Sequence, residues 1–227
     1  MIQKLIHSGR FKLILLLALM SVFCFSLSVF RFYFSETKTF LFLNWNLFLA
    51  FIPWFATTLI ILSKRLRTNK IALMFVLVVW LLFFPNAPYI LTDLFHLRVR
   101  SAIPIWYDLV VILSFAWTGL TFGFLSLVDI ESLASKYMPA RVVRFVLFVL
   151  LFAGSFGIYL GRYLRWNSWD IFNNPFSLLS EIGDRFIDPF SHPRTWGMTI
   201  LFGVLLNMRF WTFKLFAPNE MIKISDK

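Results

Sequence analysis

The chain has 227 residues, of which 59% are apolar and 20% aromatic, and its mean hydropathy is +0.78. Soluble domains are about 45–50% apolar, so a soluble core could not bury the 30 phenylalanines of this chain. The net charge is +11, but no nucleic-acid-binding motif surrounds a basic patch, and we do not expect nucleic acid as a partner. Cys24, the only cysteine, excludes an intrachain disulfide and a cysteine-based metal framework.

Six apolar segments are long enough to cross a membrane, because about 20 helical residues span a hydrocarbon layer about 30 Å thick. They occupy residues 12–34, 40–62, 71–96, 105–128, 141–162 and 195–216. The first has a basic start like that of a signal peptide, but it continues to about Phe34 without a clear cleavage site, and we interpret it as a retained helix. The sequence predicts an all-α integral membrane helical bundle with six transmembrane helices, formed by residues 1–227 as a single transmembrane domain.

The third segment is interrupted by the sequence 84-FPNAPYILTDLFHLRVR-100, in which Pro85 and Pro88 flank Asn86. A proline lacks the backbone donor and disrupts the hydrogen-bond ladder of a helix. The span either bends and continues to about residue 96, or it ends at Pro85 and an interfacial segment follows. We expect the bend, because a broken helix is tolerated inside a membrane where protein or water hydrogen-bonds its freed backbone groups.

The longest connection, residues 163–194, contains the sequence 174-NPFSLLSEIGDRFIDPF-190. Asn174 can cap a helix and Pro175 suits its first turn. Apolar residues then recur at steps of three or four positions: Phe176, Leu179, Ile182, Phe186 and Phe190. The pattern predicts a short amphipathic helix, which either lies on the outer membrane surface or packs its apolar face on the spans.

Basic residues are distributed unevenly between the two sides of the predicted bundle. The side with both termini holds 14 of the 22 Lys and Arg, and the other side holds 8. Cytoplasmic loops of membrane proteins carry an excess of Lys and Arg. We therefore predict a multi-pass protein of the cell (plasma) membrane, with its N- and C-termini in the cytoplasm and residues 163–194 outside.

Polar side chains gather in the outer third of four spans when each residue is placed along its helix at about 1.5 Å per residue. The set comprises Asn44, Asn46, Asn86, Asp93, His96, Asp108, Tyr159, Arg162 and Arg165, with Asn167 and Asp170 in the outer loop. Because polar groups facing lipid are costly, these side chains are expected to turn inward and meet in a pocket open to the outside. The polar residues of the inner half are Thr57, Thr58, Asn207 and Arg209, and they do not form a comparable set.

Residue type and spacing indicate what this pocket can do. Asp93 and His96 stand at i and i+3 and can act as a base with its orienting acid, and with Asp108 they can bind a divalent metal. Arg162 and Arg165 have the same spacing and suit a phosphate or carboxylate. The candidate catalytic residues are Asp93, His96 and Asp108. The candidate substrate-binding residues are Asn44, Asn46, Asn86, Arg162, Arg165, Asn167 and Asp170. No motif specifies a metal or a cofactor.

Each of these residues also has a structural interpretation. Asp93 can pair with an arginine across the bundle, and Arg162 can extend to lipid headgroups. Asp108 can belong to an aromatic belt, and Asn44 can hydrogen-bond between helices. Small residues of the fourth and fifth spans are expected to let helices approach closely: Gly119, Gly123, Gly154, Ser155, Gly157 and Gly161.

Three functions are consistent with the sequence. The first is a pocket near the outer leaflet that binds or processes a phosphate-bearing or lipid-linked envelope substrate. The second is a small transporter or permease subunit with the broken third span as its hinge. The third is a non-catalytic accessory protein that docks other membrane proteins. The HExxH, GxSxG, Walker A and GxGxxG signatures are absent, so the sequence does not decide whether the protein is an enzyme.

Four phrases together resemble a known family: NWNLFLAFIPW, FPNAPYILTDLFHL, IWYDLVVILSFAWTGL and GRYLRWNSWD. They resemble the bacterial membrane family catalogued as domain of unknown function 1361, over about residues 40–212. The resemblance implies a multi-pass membrane protein and brings no established activity. Its distinctive phrases coincide with the polar residues of the outer third.

Overall fold

The computed structural model describes residues 10–98 and 103–216, and the described residues are mostly helical, with no β-strand among them. The helices, in chain order, are α1 (Arg10–Ser35), α2 (Phe42–Leu62), α3 (Lys64–Thr68), α4 (Lys70–Phe83), α5 (Asn86–Tyr89), a 3₁₀ helix (Ile90–His96), α6 (Ile105–Ala134), α7 (Ala140–Arg162), α8 (Asp170–Asn173), α9 (Pro175–Ile187) and α10 (Pro193–Phe216). The outermost parts of both predicted cytoplasmic termini, residues 1–9 and 217–227, lie outside the described residues.

Six elements are long and apolar enough to cross a membrane, which confirms the predicted helical bundle. They are α1, α2, the run from Lys70 to His96, α6, α7 and α10. The short helices α3 and α8 were not predicted, since their four or five residues are too few to show a hydrophobic period. The amphipathic helix of the long connection is α9.

The fourth span is longer than the sequence predicts. Its helix α6 ends at Ala134 and not near residue 128, so Asp129 and Glu131 are helical residues and not loop charges. The apolar side chains of Ile130 and Leu133 are buried, and they continue the inner face of the helix past the acidic residues. A carboxylate inside the helix is tolerated here because each of the two acids has a basic partner.

Ion pairs define the two ends of the bundle. At one end, Arg10 of α1 hydrogen-bonds to Asp129, and Lys214 of α10 contacts Glu131 at 2.6 Å. This end holds the start of α1 and the finish of α10, and we call it the terminal end. At the opposite end, the finish of α1 meets the start of α6, and the finish of α7 meets the 3₁₀ helix. Apolar side chains of α2, α6, α7 and α10 fill the space between the two ends.

The third span bends and does not leave the bundle. After α4 ends at Phe83, the chain continues through α5 and the 3₁₀ helix, and Ala87 and Ile90 are fully buried. Pro85 and Pro88 cannot donate backbone hydrogen bonds, so an uninterrupted α-helical ladder is impossible here. The 3₁₀ geometry that follows lets the backbone make shorter-range bonds while remaining inside the protein.

The small residues of α6 and α7 receive this bent segment. A Cβ added to Gly123 of α6 would lie 2.8 Å from Ala87 Cβ. A Cβ added to Gly157 of α7 would lie 2.6 Å from Cγ of Pro85, whose ring cannot rotate away. The glycines thus do let helices approach closely, and the element that approaches them is the broken part of the third span.

Gly157→Ala is therefore expected to destabilise the protein by about 1–3 kcal/mol through overpacking against Pro85. Gly183→Ala in α9 is the matched control, because no atom lies within 4 Å of a Cβ added there. The measurement is the free energy of unfolding of the purified variants in mixed micelles. Equal stability of the two variants would show that the contact between Pro85 and Gly157 of α7 is not tightly packed.

Candidate functional site

The guanidinium of Arg162, at the end of α7, organises a polar cluster at the opposite end of the bundle. It donates from Nη2 to Asp93 Oδ1 at 2.6 Å and from Nε to Thr92 Oγ1 at 2.9 Å, and its Nη1 lies 2.9 Å from His96 Nε2. Asn46 of α2 donates to the second Asp93 oxygen at 2.9 Å. We call these five residues the Arg162 cluster. Four of them belong to the predicted set, and Thr92 does not.

The 3₁₀ helix explains why Asp93 and His96 converge on one arginine. Such a helix has about three residues per turn, so side chains at i and i+3 lie directly above each other. Tyr89 and Thr92 have the same spacing, and the ring centroid of Tyr89 lies 4.8 Å from Arg162 Cζ. An ideal α-helix would instead have rotated the two members of each pair about 60° apart, at 100° per residue.

The cluster satisfies its own hydrogen-bonding groups. Asp93 is 1% exposed, and both of its carboxylate oxygens accept hydrogen bonds. A guanidinium only donates, so Nε2 of His96 must be the unprotonated ring nitrogen. Arg162 therefore bridges the acid and the base that were predicted to work together, and it occupies the lone pair that a catalytic His96 would use.

Asp108 belongs to a different polar set. Its carboxylate forms a two-pronged pair with Arg31 of α1, with Nε to Oδ1 at 2.7 Å and Nη2 to Oδ2 at 3.2 Å. Both side chains are 1% exposed. Arg31 Nη1 donates further to the hydroxyls of Ser35 and Thr37 and to the carbonyl of Thr39. All three nitrogens of this guanidinium are thus engaged, and two of them fasten α1 to α6, which supports a structural role for Asp108.

The other predicted binding residues are dispersed. Asn44 donates to Ser28 of α1 at 2.8 Å, which is the interhelical bonding expected under the structural interpretation. Asn86 donates to the Phe83 carbonyl and to Ser168 of the long connection, both at 3.0 Å.

The remaining predicted residues lie in the connection after α7. Asp170, the first residue of α8, accepts at Oδ2 from the backbone N–H of Asn167 at 2.7 Å. Arg165 is exposed with φ of 61°, and its side chain bonds to no described residue. Arg162 and Arg165 therefore do not form a clamp, since the chain turns away from helical geometry between them.

A cavity of about 300 Å³ adjoins the Arg162 cluster. Its walls come from α2, α4, α5, α7, the connection after α7, and α9. Its polar and aromatic lining residues are Trp45, Asn46, Asn86, Tyr89, Trp166, Asn167, Ser168 and Trp169. Asn46 belongs to the Arg162 cluster and Tyr89 lies against Arg162, so these two neutral side chains border both the cluster and the cavity.

Helix α9 covers the cavity with one face and presents an apolar face outward. Leu178 and Ile182 line the cavity, whereas Phe176 and Ile187 are 86% and 87% exposed. Leu179 and Phe190 of the predicted stripe are exposed as well. The ring of Phe186 instead lies 5.6 Å from that of Phe156 in α7 and 5.0 Å from that of Trp196 in α10. The stripe is thus divided: Ile182 and Phe186 face the protein, and the other three residues face outward.

The turn after α9 is held by Asp188. Its carboxylate accepts from the backbone and the hydroxyl of Ser191, at 3.3 Å and 2.5 Å. These bonds stabilise the ionised form and lower the pKa of Asp188 below its ordinary value. The carboxylate therefore stays ionised, and keeps its bonds to Ser191, at a lower pH than an aspartate without such bonds.

The terminal end holds a polar set that the sequence reasoning missed. Asp129 accepts hydrogen bonds from Arg10 and from the hydroxyl of Thr57, the latter at 2.8 Å, and Arg10 also donates to Thr58 at 2.9 Å. The expectation of no comparable inner set was wrong because Arg10 and Asp129 were counted as connection charges. The sequence position of Arg10 and Asp129 could have indicated this set, because each residue lies within about a turn of an apolar run, where a charge needs a partner.

The described residues contain no group of three or more His, Cys, Asp or Glu side chains placed to hold a metal ion. Of the residues considered for a divalent metal, Asp93 and His96 contact Arg162 and Asp108 contacts Arg31. A bound metal at this place would require these contacts to open.

Six apolar spans whose buried aspartates pair with arginines inside the bundle define a polytopic α-helical membrane protein. The chain belongs to the family described as "Protein of unknown function (DUF1361)", whose model matches residues 45–208. The matched range includes every residue of the Arg162 cluster and of the cavity, and it omits α1. No curated protein and no solved structure matches the chain.

Asp108→Asn is expected to lower the free energy of unfolding by about 3–5 kcal/mol, because it leaves the buried charge of Arg31 without a counter-charge. Asp184→Asn is the control, since Asp184 is 62% exposed in its contact with His192 and such pairs contribute only about 0–1 kcal/mol. Unfolding of both variants in mixed micelles is the measurement. A loss of similar size in the two would contradict the structural role of Asp108.

Proposed function

We propose that the cavity beside the Arg162 cluster binds a lipid-linked molecule with an uncharged, hydrogen-bonding headgroup. The observation that carries this proposal is the chemistry of the wall. Amide and hydroxyl groups from Asn86, Asn167 and Ser168 stand beside three indole rings, and none of the described residues that line the cavity is charged. Binding sites commonly combine such apolar or aromatic surface with a few placed polar groups.

The state of Arg162 favours an uncharged headgroup over a phosphate. A free guanidinium would be a good phosphate ligand. This one already donates to Asp93 and Thr92 and contacts His96, and it stacks against Tyr89. A phosphate would have to displace Asp93, leaving a buried carboxylate without its counter-charge.

Access from the membrane supports a lipid-linked ligand. Among the wall residues, Trp45 and Leu81 are 53% and 47% exposed, so the cavity reaches the surface that faces lipid. Helix α9 borders the same cavity and presents Phe176 and Leu179 outward. A lipid tail can remain in the bilayer beside this opening while its headgroup enters.

The orientation belongs to the same proposal. The bias of Lys and Arg supports a cytoplasmic terminal end, with the cavity at the outer leaflet of the cell membrane. Transport is less well supported, since the described interior between the two ends is filled by apolar clusters around Phe115 and Leu127. We therefore propose binding or processing of an outer-leaflet lipid rather than passage through the bundle.

A tryptophan placed in the cavity tests the binding proposal. Ile182→Trp is expected to retain on the order of a tenth of the ligand held by the unchanged protein, because the indole fills the headgroup space. Ile187→Trp is the matched control on the outer face of the same helix. The probe is glucosyl-diacylglycerol in phosphatidylcholine nanodiscs, and the lipid retained is measured by native mass spectrometry.

Equal retention of the glycolipid by the two tryptophan variants would refute binding in the cavity. A preference for phosphatidylglycerol over the glycolipid that also disappears in Ile182→Trp would replace the uncharged headgroup by a phosphate-bearing one. Thermal melting of both variants in phosphatidylcholine alone shows whether the substitution has changed the fold.

Single cysteines test the orientation, since the native Cys24 is buried. Asn173→Cys, in the long connection, is expected to react with a membrane-impermeant maleimide added to intact cells. Ser135→Cys, at the end of α6, is expected to react only after the cells are permeabilised. Both positions are exposed in the structure. The reverse pattern of labelling would place the cavity on the cytoplasmic side.

A further inference from the structure

A second cavity, of about 550 Å³, lies on the lipid-facing side of the bundle between α6 and α10. Trp117, Leu120 and Phe124 of α6 form one wall, and Leu205 and Phe213 of α10 form another. It shares no lining residue with the cavity beside the Arg162 cluster. We call it the α6–α10 groove.

The packing of α10 explains why this groove is open. At Gly203, α10 packs closely against α7, because the ring of Phe152 occupies the space that a Cβ on this glycine would need. Helices α6 and α10 meet near the terminal end, where the ring of Phe124 lies 5.6 Å from that of Phe210 and Lys214 pairs with Glu131. Beyond these contacts the lining residues Trp117 and Leu205 are 63% and 41% exposed, so the groove faces the bilayer.

Among the described residues that line this apolar groove, one is charged. Arg209 of α10 is exposed, and its side chain contacts no carboxylate among the described residues. An arginine inside a span without a counter-charge is unfavourable, so such a residue is expected to have a partner. The neighbouring cation Lys214 differs, since it has Glu131 as its partner.

We propose that the α6–α10 groove binds an anionic phospholipid of the leaflet at the terminal end, with its phosphate on Arg209 and an acyl chain along the apolar walls. Arg209 lies seven residues before Phe216, about 10 Å along the helix, so its long side chain can reach the headgroup level. A guanidinium binds a phosphate with two parallel hydrogen bonds. The charge of the lipid supplies the partner that no described carboxylate supplies.

The experiment compares retention of phosphatidylglycerol by purified variants in nanodiscs of phosphatidylcholine with a minor fraction of phosphatidylglycerol. Arg209→Gln is expected to retain about tenfold less phosphatidylglycerol, the loss of one strong charge-assisted contact. Arg144→Gln removes another exposed arginine, in the first turns of α7 and outside the groove, and should retain as much as the unchanged protein. Native mass spectrometry measures the bound lipid.

A second pair of variants tests the acyl-chain wall without changing charge. Leu205→Trp fills the groove and should also lose phosphatidylglycerol. Leu201→Trp, one turn away on the same helix and 72% exposed, lies outside the groove and should not. Melting temperatures in phosphatidylcholine alone, expected to be similar for all four variants, show that each has folded.

Equal losses of phosphatidylglycerol in Arg209→Gln and Arg144→Gln would overturn the proposal, because retention would then depend on the total surface charge and not on the groove. So would equal retention of phosphatidylcholine and phosphatidylglycerol by the unchanged protein. A change of oligomeric mass in Arg209→Gln with no change in bound lipid would assign the groove to a protein helix and also overturn the proposal. The result is independent of the glycolipid test, in which Ile182→Trp should leave phosphatidylglycerol retention unchanged.

Discussion

The bilayer imposes the constraint on which this structure depends: a charge buried between the spans needs its counter-charge inside the protein. Helix α1 shows the consequence most directly, because most of its surface faces outward. Its Arg10 and Arg31 pair with Asp129 and Asp108 of α6, and in both helices the two charges are 21 residues apart. At about 1.5 Å per residue this spacing is about 31 Å, close to the thickness of the hydrocarbon layer. Antiparallel helices α1 and α6 are thus fastened at the two membrane boundaries, with apolar contacts between.

A third pair, Arg162 with Asp93, depends on the break in the third span. An unbroken helix could not place Asp93 and His96 directly above each other, and the glycines of α6 and α7 would then have no bent segment to receive. The prolines, the small residues and the 3₁₀ turn therefore act together. They bring a carboxylate that is distant along the chain to the end of α7, where Arg162 lies.

Depth along each helix was enough to predict that Asn46, Asp93, His96 and Arg162 share a level, because a regular rise converts sequence position into height. It could not predict which groups at that level meet, since this depends on how each helix is rotated and tilted. Asp108 therefore was grouped with Asp93, although its partner is Arg31. Pairing also decides where a span ends, and for this reason α6 extends past Asp129, which looked like a loop residue in the sequence. The bundle and its spans follow from hydrophobicity alone, whereas the partners of the charges do not.

The pairing of charges also bears on the function that we propose. An ionisable group inside a membrane protein commonly marks a functional site. Here the buried aspartates and arginines spend their hydrogen bonds on one another, so binding any of them to a ligand would first require breaking a desolvated pair. The groups that line the cavity are neutral, such as its asparagines and indoles, and the side-chain oxygens of Asn46, Asn86 and Asn167 accept no hydrogen bond from the described residues. One face of α9 borders them. In the proposed function, the charged residues hold together the helices that carry this neutral surface.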